Sequence, residues 1–79
     1  MEEKLFNASM KFIRVCDAKL TEKEEEGWVG WDKKENEEEF EKRLTRHLLK
    51  DFTQESLIDI SNYCMFLWNL KDIKKGGNQ

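Results

Sequence analysis

"SLIDISNYCMFLWNL", residues 56 to 70, decides the fold. Leu57, Ile58, Ile60, Cys64, Met65, Phe66, Leu67, Trp68 and Leu70 surround any helix drawn through it, leaving little of the helix polar. A helix apolar on most sides belongs between other helices or in a dimer interface. The chain contains no proline, β-branched residues are sparse, and Glu, Lys and Leu dominate, which favours helix throughout. The expectation is therefore all-α: a three-helix bundle with this long C-terminal helix, about 54 to 74, at its centre. Asp51 or Thr53 is placed to cap its start, and Lys71, Lys74 and Lys75 suit its C-terminal dipole. Residues 1–75 form one helical domain on this reading, with 76–79 a disordered tail opening at Gly76 and Gly77.

Working back along the chain, Asn36 followed by Glu37, Glu38 and Glu39 reads as an N-cap with Glu39 at the capping-box position. Helix two then runs from about 37 to 50 and buries Phe40, Leu44 and Leu48. In residues 3 to 26, Leu5, Phe6, Met10, Phe12, Ile13, Cys16 and Leu20 recur at steps of three and four, marking one face of helix one. Gly27 is a plausible terminator of that helix, although the preceding glutamates oppose the dipole and predict fraying. Between lies a Gly/Trp loop, 27 to 36, containing W-x-x-W.

The 79 residues are 39% charged, with a net charge of −3 and nine aromatic residues: three Trp, five Phe and one Tyr. That aromatic content argues for a folded chain. A core this small needs help from packing, a staple or self-association. No basic run longer than two residues precedes the C-terminal end, which argues against nucleic acid as a partner. The acidic start MEEKLF lacks the basic region of a secretory leader, and no apolar run reaches the length of a membrane span. A cytoplasmic protein without a membrane role is expected. Cys16 and Cys64 both fall in apolar stretches and read as buried, reduced thiols rather than a disulfide.

Four features could carry chemistry or binding. Glu37, Glu38 and Glu41 spell E-E-x-x-E, and Glu55 and Asp59 follow one helical turn apart; such carboxylates on neighbouring helices can hold Mg²⁺, with Glu38, Glu41, Glu55 and Asp59 as its ligands. The competing reading is a solvated first turn that satisfies the helix dipole. Glu55, Asp59, Asn62, Phe66 and Asn69 form a polar stripe on helix three, either its water-facing side or the lining of a cleft. His47, the single histidine, reads as a boundary residue with a satisfied hydrogen bond, since no Ser or Cys stands at a spacing that suggests a nucleophile–base pair. Trp28 and Trp31, with Asp32, read as a loop that plugs one end of the core and presents a partner-binding surface, one tryptophan inward and one partly exposed.

The pattern GW…W-D…F…R-L…H-L followed by S-L-I-D-I-S-N-Y-C-M-F-L-W-N, from Gly27 to Leu70, resembles MazG-like all-α NTP pyrophosphohydrolases and their small phage-encoded relatives. In that family a Gly–Trp loop leads to a helix with paired glutamates, and a later helix carries an acidic residue, then Asp, then Asn. With Trp31 as the loop tryptophan, the glutamate cluster falls on Arg46, His47 and Lys50, the second acidic position on Ser56 and the last on Asn69. The literal E-E-x-x-E moves the charges to the first turn of helix two. Asp59 stands in both registers. The resemblance implies a helical hairpin with an incomplete catalytic set, in a family whose enzymes are dimers or tetramers. The resulting expectation is a non-enzymatic module acting through protein contacts, such as a phage accessory or host-modulating factor, without a cofactor and able to self-associate. The alternative is a Mg²⁺-dependent nucleotide-binding protein or pyrophosphohydrolase.

Overall fold

A computed structural model describes residues 1–50 and 52–73. It shows three α-helices: α1, Glu3–Glu25; α2, Glu37–Leu48, preceded by a 3₁₀ turn at Lys34–Asn36; and α3, Gln54–Lys71. α3 is central, packing on both α1 and α2. Its end falls at Lys71 rather than 74; Asp51, Lys74, Lys75 and the tail from Gly76 lie outside the described residues.

α1 does not fray. Gly27 takes a φ of +85°, and the Trp28 N–H donates to Lys23 O (3.0 Å) while the Gly27 N–H donates to Glu24 O (2.9 Å). This pair of bonds is the Schellman closure, which satisfies carbonyls left open by the last turn. It also turns Trp28 back onto the bundle. At the start of α3, Thr53 caps, its Oγ1 accepting from the Ser56 N–H at 3.1 Å.

The expected capping box on α2 is absent. The 3₁₀ turn holds Asn36 at φ −92°, ψ 0°, with no side-chain cap bond, whereas an N-cap side chain reaches back only from extended backbone. Asn36 Nδ2 instead donates to Gly30 O at 2.7 Å, bracing the loop, and Glu39 accepts from Arg43. Lys34 Nζ donates to Leu70 O at 3.0 Å and pairs with Glu37 Oε1 at 2.6 Å. Lys71 adds bonds to Glu37 and Glu41, tying α2 to the end of α3. Hydrogen bonds from Lys34 and then Lys71 lower the Glu37 carboxyl to about 2.

The core is small and aromatic. Phe40, Phe66, Leu67 and Leu70 are buried, Leu70 completely, with Leu20, Trp28, Leu44, Tyr63, Met65 and Ile73 around them. Phe66 is the hub. Its ring centroid lies 5.4 Å from Phe40, 5.5 Å from Trp28, 5.9 Å from Trp31 and 6.1 Å from Tyr63, within the range where aromatic pairs add to simple burial.

Three expectations about burial need correction. Leu48 is exposed, because α2 ends there and the chain leaves the bundle. Cys64 is exposed on the outer side of α3, and only Cys16 is buried; both are free thiols. On the α1 face only Cys16 is buried, with Leu20 packed against the core. The same stripe continues toward the N-terminus as Leu5 (58% exposed), Phe6 (50%), Phe12 (44%) and Ile13 (47%).

Candidate functional site

Where α1, α2 and α3 meet, the helices leave a cavity of about 150 Å³ lined by Lys19, Lys23, Arg43, Asp59, Asn62 and Tyr63, with Leu20, Trp28 and Phe66 as its apolar wall. Asp59, Asn62 and Phe66 of the polar stripe therefore line a cleft, whereas Glu55 faces water and Asn69 donates to Met65 O of its own helix at 2.9 Å. Asn62 is buried at the crossing of α1 and α3, and its Nδ2 donates to Cys16 O at 3.3 Å. One amide N–H spans two helices, which explains a buried polar residue in the core. Cys16 is held as a neutral thiol, its pKa raised by burial and secondarily by Asp17.

Arg43 and Tyr63 also line a second, wider hollow, together with Glu39, Arg46, His47 and Lys50. Arg43 is the post between them. Its Nε donates to Glu39 Oε2 at 2.9 Å, and hydrogen bonds to Glu39 and then Tyr63 hold its guanidinium above the usual arginine range. Arg46 reaches the same Glu39 oxygen at 3.4 Å.

His47 joins α2 to the first turn of α3. Its Nδ1 lies 3.1 Å from Ser56 Oγ, its Nε2 lies 3.9 Å from Asp59 Oδ2, and its ring packs 5.9 Å from Tyr63. The satisfied boundary histidine is what the sequence predicts, but its partner Ser56 is not legible there. Nine residues separate the two, and only the turn between α2 and α3 brings them together. At 3.9 Å the Asp59 contact is an ion-pair distance and exceeds a hydrogen bond, so the trio orients the ring without forming a tight nucleophile–base–acid relay.

The four carboxylates considered as Mg²⁺ ligands do not gather. Glu38 and Glu41 line one shallow surface with Lys42, Thr45 and Arg46; Glu55 and Asp59 line another with His47, Lys50 and Ser56. Glu38 pairs with Lys42 and Glu41 with Lys71. Among the described residues, no group of three or more His, Cys, Asp or Glu side chains is placed to hold a metal.

The tryptophan loop divides as its spacing suggests. Trp28 is part-buried against Phe66 and Phe40; Trp31 keeps 41% of its surface exposed while leaning on Phe66; Asp32 is exposed. Further exposed apolar side chains lie on the α1 stripe, at Leu48, Leu49 and Phe52 around the turn between α2 and α3, and on the outer side of α3, where Trp68 is 70% exposed. No helix among the described residues is long and apolar enough to cross a membrane. Comparison with models of protein families, with curated proteins and with solved structures finds no match to this chain.

Proposed function

We propose that this protein is a non-enzymatic helical module that works by docking another protein, and that the N-terminal half of α1 is its docking element. The observation that carries this reading is the exposure of Leu5, Phe6, Phe12 and Ile13 on the very stripe that buries Cys16 and Leu20 farther along the helix. Four large apolar side chains on one helix face, each about half open to water, are more than scattered surface residues and mark an interaction surface. Covering what remains exposed contributes roughly 1 kcal/mol per residue, taking half the value for full burial. Helix-in-groove recognition reads such i, i+3, i+4, i+7 anchors. Trp31 and Asp32 form a second, smaller contact at the other end of α1. An accessory or host-modulating role, as the resemblance to phage proteins implies, is a function of this kind.

The test is affinity capture with the immobilised wild-type chain and a Phe6→Ser/Phe12→Ser variant side by side. Both positions are half exposed, so the helical circular-dichroism signal of the variant should match the wild type. Partners held by the wild type and lost from the variant are the expected outcome. A variant that retains the same partners, or a wild type that retains nothing above a blank matrix, refutes the assignment.

A further inference from the structure

We infer that the cleft between the three helices is a metal-independent site for a small phosphate-bearing anion, gripped directly by Lys19, Lys23 and Arg43. The cavity and the second hollow are lined by five cationic side chains, Lys19, Lys23, Arg43, Arg46 and Lys50, against two carboxylates, Asp59 and Glu39. In a chain of net charge −3 this is a reversal of sign, and a cleft of one sign with low-dielectric walls focuses the field on a ligand of the other. The walls here are Trp28, Phe66 and Leu20.

The cations are only partly spent on internal pairs. Lys19 meets no carboxylate within ion-pair distance among the described residues, while Lys23 makes one long contact, 3.5 Å, to the exposed Glu26. Arg43 is held from one side by Glu39, which fixes its planar fork on the wall shared by cavity and hollow; a preset guanidinium suits the paired oxygens of a phosphate. Asn62 commits one amide N–H to Cys16 O and has a second donor available. The size limits the ligand. About 150 Å³ is the volume that accepts a group the size of benzene, and so one phosphate group in the cavity with a second in the hollow. Pyrophosphate or a compact phosphate ester fits that description.

Asp59 gives the inference a sign that separates it from carboxylate–metal chemistry. Its carboxylate lines the cavity and repels an anion bound there. Asp59→Asn should therefore tighten binding, whereas a site built on Mg²⁺ held by Asp59 would lose it.

The experiment is titration of the full chain with inorganic pyrophosphate at constant ionic strength, in EDTA and then in Mg²⁺, followed by calorimetry and by amide shifts of residues around Arg43 and Asn62. Saturable binding in EDTA is expected, weakened about tenfold or more by Lys19→Glu/Lys23→Glu, strengthened by Asp59→Asn, and reduced by Mg²⁺, which neutralises the ligand. Both lysines are part-exposed, so the double variant should keep its fold, and circular dichroism checks this. No saturation up to about 10 mM, well beyond a millimolar dissociation constant, overturns the inference. So does a requirement for Mg²⁺, or equal binding by the double variant.

Discussion

Replacing the tryptophans one at a time tests whether the loop belongs to the core. Trp28 lies against two aromatic rings, 5.5 Å from Phe66 and 6.0 Å from Phe40, and its backbone is fixed by the Schellman bond to Lys23 O. Truncating a buried Trp to Ala costs about 3–5 kcal/mol; Trp28 is part-buried, so the lower end, about 3 kcal/mol, is the expectation. Trp31 has one ring neighbour, at 5.9 Å, and is 41% exposed, so Trp31→Ala should cost about 1 kcal/mol on the same scale. Trp68, 70% exposed on the outer side of α3, is the control, expected to change stability by less than about 0.5 kcal/mol. For a chain of this size the total stability is on the order of 4–12 kcal/mol, and each kcal/mol moves the midpoint by about 4–8 °C. Thermal unfolding by circular dichroism should then show Trp28→Ala falling by about 12–24 °C and Trp31→Ala by about 4–8 °C, with Trp68→Ala unmoved. Equal losses for Trp28 and Trp31, or a Trp28→Ala within 1 kcal/mol of wild type by the scale used here, would show that the loop does not close the core as described.

Gly30→Ala should destabilise more than Gly27→Ala in urea unfolding: both glycines have positive φ, but a Cβ at Gly30 would meet Asn36 Nδ2 at 3.0 Å while Gly27 faces open space, so about 1 kcal/mol of backbone strain at each is joined at Gly30 by damage to the Asn36 brace. Glu37 is acidic in the folded chain, at about 2 against an ordinary 4.5; the unfolded chain takes up that proton first, so its stabilisation is present above about pH 4.5 and is lost as pH falls toward 2. Glu37→Gln should flatten the stability–pH curve in that window, and an unchanged slope would show that the Lys34–Glu37–Lys71 contacts do not survive in solution. A thiol reagent added to the native chain should modify Cys64 at once and Cys16 only on unfolding, because Cys16 is buried with its pKa raised; equal rates would mean that the crossing of α1 and α3 opens freely.

Helical periodicity, Gly27 and Thr53 make the three helices and two of their ends readable from sequence, because each acts through its own few neighbours. The misreadings share a cause: local pattern shows which residues lie together on a helix face but not what the fold sets against that face. Leu5, Phe6, Phe12, Ile13, Cys16 and Leu20 do share a stripe, yet α3 meets α1 near Cys16 and Leu20, and the rest of the stripe stays exposed among the described residues. Asn36 followed by three glutamates has the composition of a cap, but the 3₁₀ turn denies it the extended backbone that capping requires and gives its amide to Gly30.

Charge is misread for the same reason, with a larger consequence. Along the chain no basic run longer than two residues stands out, since Lys19 and Lys23 lie on α1 among acidic neighbours, while Arg43 and Arg46 on α2 and Lys50 in the turn after it are spaced apart by Leu, Thr and His. Folding sorts them: Glu37 and Glu41 turn to Lys71 and Lys34 on one side of the bundle, while five cations line the opening between the helices. A net charge of −3 therefore describes the protein's solubility and its long-range field but not the surface that a small anion would meet, and it is that surface, with the open stripe of α1, on which binding should be sought.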